Sequence, residues 1–453
     1  MKNGVRIVAG LVLLVIPLLI PVGEGRSLAP AEKWVARYNG PGNGEDRAQD
    51  IAVDGLGNVY VTGITGYLNN EEYDIAGDYA TIKYNSNGKQ LWVQRYDGPA
   101  KGYDEARAIA VDSSGNVYVT GCSYGLSGSM YREDFATIKY SPNGKQLWVK
   151  RYNGPGNSVD GATAIAVDGS GNVYVTGSSE GSGTDYDYAT IKYNTNGKQL
   201  WVARYNGPGN SLDGATAIAV DGSGNVYVTG YSEGSGYKTD YATIKYGTNG
   251  KQLWVARYNG PGNYYDLAMA IAIDGSGNVY VTGYSHGSRS DFDYATIKYN
   301  TNGKQLWVQR YDGPAKGYDE ARAIAVDKSG NVYVTGSSSY DYATIKYGPN
   351  GKQLWVKRYN GPGNDYDGVY AIALDGSGNV YVTGESKVSG TDNDYATIKY
   401  NTNGKQLWVK RYDGPSKGYD GAQAIAVDKS GNVYVTGGSY GSGTDYDYAT
   451  VKY

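Results

Sequence analysis

One paragraph of sequence is written about eight times along this chain, and that repetition restricts the fold more than any other feature. The unit is clearest at 213–265, DGATAIAVDGSGNVYVTGYSEGSGYKTDYATIKYGTNGKQLWVARYNGPGNYY, and the same text restarts at Asp266. Three landmarks agree on the copy number. All 8 tryptophans belong to the repeat: Trp34, Trp92, Trp148, Trp201, Trp254, Trp307, Trp355 and Trp408. The glycine closing the VTG triplet recurs from Gly63 to Gly437, and the segment DYATIKY, or a near copy, ends at residues from Tyr84 to Tyr453. A period near fifty residues carried by strand-like text points to a propeller, in which each module buries its flanks against its neighbours. Length alone would suggest about three domains; the repeat replaces that expectation with one closed ring.

Within the unit, 217–221 (AIAVD) alternates small and branched residues and reads as an inner strand. Gly222-Ser223-Gly224 forms a hairpin and 225–229 (NVYVT) a second strand. A Gly/Ser/Tyr loop is expected over 230–239, then a third strand at 241–246 (YATIKY). Thr248-Asn249-Gly250 makes another turn before the outer strand at 252–258 (QLWVARY). No stretch after the leader has a helical period. The expectation is an all-β, eight-bladed β-propeller with four antiparallel strands per blade. The chain opens with a lone outer strand, 33–38 (KWVARY), and stops at Tyr453, the end of a third strand. The first segment can therefore complete the last blade and remove a free edge. Tyrosine is 49 against 2 phenylalanines, which suits half-covered strands with wet hydroxyls.

At the amino terminus, Lys2 and Arg6 precede an apolar run from Ile7 to Val22 that contains Pro17 and Pro21. This is the pattern of a cleaved secretory signal, too short for a spanning helix of roughly 20 apolar residues. Residues 1–31 are expected to be signal and leader, and 32–453 a single propeller. The product is then secreted, periplasmic or on the cell surface, without a stable membrane span, and monomeric. A net charge of -3 with no basic stripe argues against nucleic acid. The single cysteine, Cys122, cannot make an internal disulfide, and with one histidine it cannot make a zinc site.

The core AIAVDGSGNVYVTG, followed by DYATIKYNTNGKQLW, resembles the SBBP β-propeller repeat proteins of bacteria and archaea. The resemblance covers essentially everything after the leader. It implies the propeller fold and an exported or surface location, and it is nearly silent on activity. The family name refers to seven blades, and this chain departs from it in having eight copies. NTNGKQLW is also similar to the Gly-x-x-x-Trp element of quinoprotein dehydrogenase propellers. Those enzymes hold pyrroloquinoline quinone and calcium in one asymmetric pocket, typically with adjacent cysteines over the cofactor. Cys122 stands alone and no blade is visibly specialised, so no cofactor is expected.

Catalysis needs unlike residues converging on one point, whereas the charged groups here recur in every copy. Arg204, Arg257 and Arg310 end outer strands. Lys192, Lys245 and Lys298 sit in third strands, which Asp187, Asp240 and Asp293 open. Asp160, Asp213 and Asp266 precede inner strands. They are expected to form blade-to-blade ion pairs and turn caps, and no residue is expected to be catalytic. The recurrent tryptophan is expected to pack between blades, each indole contributing about 4–6 kcal/mol at most. Asp221-Gly222-Ser223-Gly224-Asn225 resembles part of a calcium loop, but one carboxylate per hairpin is too few, so no metal is expected. His286 is expected to decorate a loop.

Strands hardly vary between copies, but the connections after VTG do, as at 64–77, 122–133, 284–292, 337–340 and 385–393. In a propeller these share one face with the segments that join successive blades. Tyr67, Tyr124, Tyr231, Tyr284, His286, Tyr340 and Tyr440 are the candidate ligand-binding residues of that face. The favoured expectation is a binding or scaffold module for protein or glycan. The alternatives are an extracytoplasmic enzyme, quinoprotein-like or acting on a polysaccharide, and a purely structural surface protein. An enzyme should gather unlike polar groups from several blades at one end of the channel. A binder should show a partly exposed aromatic patch.

Overall fold

The structure, a computed structural model, describes residues 30–453 apart from 69–74, 128–129, 235–237, 289–290, 389–391 and 417. The expected signal at the amino terminus lies outside the described residues, except for its last two positions. Among the described residues no helix is long and apolar enough to cross a membrane.

Eight four-stranded antiparallel sheets follow one another along the chain. In blade 4 the strands are Asp213–Val220, Val226–Glu233, Thr239–Tyr246 and Gln252–Tyr258, called a to d from the axis outward. Blades 1 to 7 span 46–96, 104–152, 160–205, 213–258, 266–311, 319–359 and 367–412. Blade 8 takes strands a to c from 420–452 and its strand d from Trp34–Tyr38. That first strand pairs with the last, Trp34 opposite Lys452 and Tyr38 opposite Tyr448. Strands a touch their neighbours all round, Asp420–Val427 of blade 8 meeting Asp46–Val53 of blade 1. The ring is closed by the two chain ends, as expected.

Local chemistry sets the a–b hairpin. The Asp221 carboxylate accepts the amides of Ser223 and Asn225 (both 2.9 Å), the Asn225 side-chain amide (2.8 Å) and the Tyr227 hydroxyl (3.0 Å). Gly224 supplies the positive φ the turn requires, +79°. Partial burial opposes ionisation, but these bonds outweigh it and hold Asp221 below the ordinary carboxylate range. The fragment that resembled a calcium loop is a self-satisfied turn.

The strands run further than their sequence pattern suggested. Strand a starts at Asp213, with a β-bulge between Ala215 and Ala217. Strands b and c continue into the expected loop at 230–239, to Glu233 and from Thr239. In blades 1 and 2 the expected long loops are mostly extended hairpin, Val59–Leu68 with Ile75–Tyr84 and Val117–Ser127 with Met130–Tyr140. Tyr, Thr, Ile and Ser there keep the two-residue alternation, so the ladder continues.

Packing between blades repeats one arrangement. The Trp254 ring lies between Tyr227 of its own blade (6.1 Å) and Tyr299 of the next (6.3 Å). Its indole N–H donates to the Thr301 carbonyl in the next blade's c–d turn (3.1 Å). The Lys245 ammonium donates to the same carbonyl (3.3 Å) while lying over the Tyr227 ring at 4.9 Å. Gly303, in that turn, lies so close that an added Cβ would stand 2.7 Å from the Trp254 ring. At the seam the two donors come from opposite chain ends: Trp34 (3.1 Å) and Lys452 (2.8 Å) both reach the Ser86 carbonyl of blade 1.

Two expectations about side chains are corrected. The recurrent strand tyrosines are not half covered: Tyr79, Tyr188, Tyr241, Tyr294, Tyr342, Tyr395 and Tyr448 are fully buried. Their hydroxyls bond a carbonyl of the next blade, as Tyr241 does with Ala295 (3.2 Å) and Tyr448 with Ala80 across the seam (3.3 Å). Blade 2 has Phe135 at this place and lacks the bond. The arginine–aspartate ion pairs close within a blade, not between blades. Arg257 pairs opposite Ala242 on the adjacent strand, which puts it diagonal to Asp240 on the same face, at 2.9 Å. What crosses to the neighbouring blade is its bond to the neutral Tyr205 hydroxyl (3.1 Å).

One position of strand a that is alanine in every other blade breaks the repeat. Asp50 stands where Ala108, Ala164 and Ala217 stand in the following blades. It is hemmed in by the converging inner strands and accepts the Ile109 amide of blade 2 (2.9 Å) and its own neighbour's amide (2.8 Å). Burial pushes its carboxyl from 3.8 up to about 6, with the two amides pulling the other way.

Two outcomes are expected. In chemical denaturation, Trp254→Ala should cost about 3 kcal/mol, and Gly303→Ala about 2 kcal/mol from strain at positive φ and contact with the indole. The folded state retains the Asp50 proton to a higher pH than the unfolded chain. This contribution is complete below about pH 4 and is lost as pH rises through 6. Calorimetry of Asp50→Ala should therefore show a gain of ~1–3 kcal/mol over the parent on going from pH 4 to pH 7; an identical pH dependence in the two proteins would refute the assignment.

Candidate functional site

One face of the ring is built from the ends of strands b and the d–a connections, which are hydrogen-bonded to one another. The amides of Tyr124, Glu233, His286, Ser339 and Tyr440 donate to the carbonyls of Tyr103, Leu212, Tyr265, Tyr318 and Tyr419 respectively, at 2.9–3.2 Å. Beneath them a buried carboxylate opens each strand a, as Asp266 does in accepting the Gly260 amide (2.7 Å). These carboxylates brace the d–a connections from below, so the face is rigidly mounted.

On this face the blades cease to be equivalent. Around blades 5 to 7, aromatic rings form two neighbouring groups. Tyr264 meets Tyr265 (4.3 Å) and His286 (5.4 Å). Phe292 meets His286 (5.5 Å), Tyr284 (5.1 Å) and Tyr318 (5.3 Å). Tyr340 and Tyr366 stand 6.2 Å apart with their planes at 68°. Tyr318, Glu320, Ser339, Tyr340, Tyr366 and Asp291 line a cavity of about 500 Å³ beside these groups.

The cavity lies at blade 6, where the b–c hairpin is shortest, both of its strands having 7 residues. Val332–Ser338 and Asp341–Tyr347 are joined by two residues alone, Ser339 and Tyr340. Both have positive φ, +47° and +72°, the conformation that two-residue hairpins usually assign to Asn-Gly. A tyrosine there costs roughly 1–2 kcal/mol relative to glycine. The turn is held from both sides, by Ser339 to the Tyr318 carbonyl (2.9 Å) and by the Asp367 amide to the Tyr340 carbonyl (2.7 Å). The ring that carries this cost is 70% exposed.

Of the seven candidate residues, Tyr284, His286 and Tyr340 belong to this region. His286 does not decorate a loop. It ends strand b of blade 5, half-buried between Tyr264 and Phe292, with Nδ1 2.9 Å from the Gly287 carbonyl oxygen. Tyr231 is half-buried, and its ring covers Gly214 in strand a. Tyr124 packs on Tyr103 (6.2 Å) and Tyr440 on Tyr446 (5.3 Å), in blades 2 and 8. Tyr67 lies in strand b of blade 1 opposite Ala76, its side chain outside the described residues. Sequence reading missed Tyr264, Tyr318 and Tyr366, which come from the d–a connections. The available signal was the tyrosine directly before the opening aspartate of strand a in KGYD and NDYD, and the tyrosine pair in NYYD, of which Tyr264 is the first.

Segments 33–66, 92–126, 147–183, 200–238, 253–291, 307–342 and 354–390 match the family described as "SBBP: Beta-propeller repeat", more than half of the chain in all. The chain belongs to the SBBP β-propeller repeat family. This SBBP propeller is 22% identical over 235 residues to an uncharacterized WD repeat-containing protein of Acanthamoeba polyphaga mimivirus, covering 45% of the chain and 14% of that relative. It therefore spans about a seventh of that relative's length. Among solved structures it is similar to a protein of unknown function from Dyadobacter fermentans, at 11% identity, TM-score 0.45 and coverage of 93% and 98% of the two chains. A protein from Lactobacillus plantarum matches at 14% identity and TM-score 0.45, covering 77% and 95%. Such distant likenesses say nothing of activity.

The reactive groups of the SBBP propeller are largely engaged elsewhere. Cys122 is buried, and burial pushes its thiol up to about 12, which leaves it unreactive at neutral pH. At the inner end of blades 1 and 2, Glu105 accepts from Arg107 (2.8 Å) and Gln49 (3.3 Å). In blade 7 the Tyr370 hydroxyl donates to Glu385 (2.8 Å). Among the described residues three groups of three aspartates come together: Asp78, Asp97 and Asp104; Asp293, Asp312 and Asp319; and Asp394, Asp413 and Asp420. They occur where the d–a connection reads DGP in place of NGP, a swap not singled out in the sequence. In each group one carboxylate is ion-paired to an arginine (Arg95, Arg310 and Arg411) and one accepts a glycine amide.

Tyr340→Gly keeps the turn and removes its strain. It is expected to raise unfolding free energy by about 1 kcal/mol in urea denaturation with an unchanged slope; a loss of stability would show that the Tyr340 ring packs more than it strains.

Proposed function

We propose that this SBBP propeller is an exported binding module that holds a protein or glycan on its loop face, in the periplasm, at the cell surface or outside the cell. The observation that carries the reading is the aromatic patch of blades 5 to 7, which interrupts an otherwise repeated ring. Aromatic rings with a polar tip give large contact area at small entropic cost. Their mounting on paired strands and braced connections keeps them preorganised, which favours binding. Chemistry would ask for a free nucleophile or a carboxylate poised in a cleft. Glu105 and Glu385 are bonded within the fold, each aspartate group holds an arginine, and the thiol is shielded. The basic and apolar leader supports export.

The test is a binding screen with the purified chain against a glycan array and against proteins of its own cell envelope. A combined Tyr284→Ala, Tyr318→Ala, Tyr366→Ala variant should bind the identified ligand at least tenfold more weakly, with its melting temperature unchanged within a few degrees. Leu56→Ala, at an exposed position of the a–b hairpin of blade 1, should bind as the parent does. Full binding by the triple variant would remove the loop face of blades 5 to 7 from the function.

A further inference from the structure

We propose that the notch at blade 6 is a subsite for a neutral pyranose oligosaccharide, held against Tyr318, Tyr340 and Tyr366. The proposal rests on the binding-module reading and commits it to one ligand class. A pyranose ring is two-sided in its chemistry. Its axial C–H groups form an apolar face that stacks on aromatic rings, and its rim of hydroxyls needs donors and acceptors in the ring plane. The notch offers both. Tyr318, Tyr340 and Tyr366 are 57%, 70% and 37% exposed, so their rings are largely free to meet a ligand. Tyr340 and Tyr366 stand at 68° to each other, a corner in which one ring can take a sugar face while the other takes its edge.

The polar complement is specific. Glu320 and Asp291 line the same cavity as hydrogen-bond acceptors for sugar hydroxyls, with Ser337 and Ser339 beside them. A volume of about 500 Å³ is in the range of small-ligand sites and accommodates more than one sugar ring. Charge narrows the class further. Of the two lining carboxylates, Glu320 is neutralised by Arg322 at 2.5 Å, while Asp291 stays exposed. Uronate or sulfated chains would meet this negative rim unfavourably.

The other aromatic group of the face lacks this character. At blade 8, Tyr440 and Tyr419 both pack against Tyr446 (5.3 and 6.0 Å), and the Arg47 guanidinium already occupies the Tyr446 ring face at 4.3 Å. That ring has its cation in place, whereas Tyr340 has an open face. The strained turn supplies a second argument. Glycine would suit Tyr340's φ better, so the ring that causes the strain is the feature retained.

The experiment is affinity electrophoresis and calorimetry on the purified full chain with cello-, manno- and chito-oligosaccharides, free glucose, and polygalacturonate. At least one neutral oligosaccharide should bind, with glucose and polygalacturonate tenfold or more weaker. Tyr340→Gly should lose affinity at least tenfold while melting no lower than the parent, and Tyr366→Ala should lose a similar factor. Leu56→Ala, at an exposed position of the a–b hairpin of blade 1, should leave affinity unchanged. Undiminished affinity in Tyr340→Gly, or equal binding of polygalacturonate, overturns the proposal. If no sugar binds but an envelope protein does, and the triple loop-face variant releases it, the sugar subsite is wrong and the binding-module reading stands. If neither class binds, both fall.

Discussion

The fold depends on blade junctions, and seven of the eight share one device, a backbone carbonyl in the c–d turn of the following blade. The junction into blade 8, whose strands c and d are the two chain ends, has no such turn, and Trp408 packs there on Tyr453. A lone four-stranded sheet leaves both faces open, and although Trp254 and Lys245 lie against Tyr227 of their own blade, the acceptor of their N–H groups is in the next. Both reach into its c–d turn and donate to the same backbone oxygen, that of Thr301. The turn glycine, Gly303 at that junction, lets the indole come close enough. Cohesion is therefore a property of junctions, as in other repeat architectures. The difference from an open solenoid is that the last junction is made. Trp34 and Lys452, at opposite ends of the chain, converge on Ser86 as the other pairs do on their carbonyls.

This explains what the sequence disclosed and what it withheld. The repeat, the strands and the head-to-tail closure were legible because each is written in residue types with a period: alternating Ala and Ile, the NG turn, the lone KWVARY. Tryptophan packing was legible for the same reason. The partner of Arg257 was not, since an ion pair within a blade and one between blades require the same two residues; only the register, Arg257 opposite Ala242, decides it. Strand ends were misjudged because Tyr, Ser and Thr serve equally in a loop and in an extended ladder. Tyrosine burial was underestimated because a hydroxyl suggests water, while Tyr241 gives its hydroxyl to a carbonyl across the junction.

The candidate site was half legible for a related reason. Attention to variable segments finds Tyr284, His286 and Tyr340, which follow the VTG triplet. It passes over Tyr318 and Tyr366, which sit in connections that look conserved in form. Their company is created by the curvature of the ring, which places each d–a connection beside the end of the following strand b. The tie between Ser339 and the Tyr318 carbonyl is an instance. No linear pattern within one repeat marks that neighbourhood.

Repetition also determines where a function can reside. Repeated junctions give repeated surfaces, and a ligand without matching symmetry gains nothing from the copies it does not touch. Specificity has to come from a departure, and departures are tolerated only where the junctions do not depend on them. Strands b, c and d carry the junction contacts and hardly vary. Asp50 is an inner-strand exception, and it titrates abnormally because burial acts on its charge. The loop face carries none of the c–d turn carbonyls that receive the tryptophan and lysine, so it is freer to differ. The notch lies at the short hairpin of blade 6, and the aromatic residues of three blades surround it. The same closure that joins the blades thus holds this notch in a fixed shape.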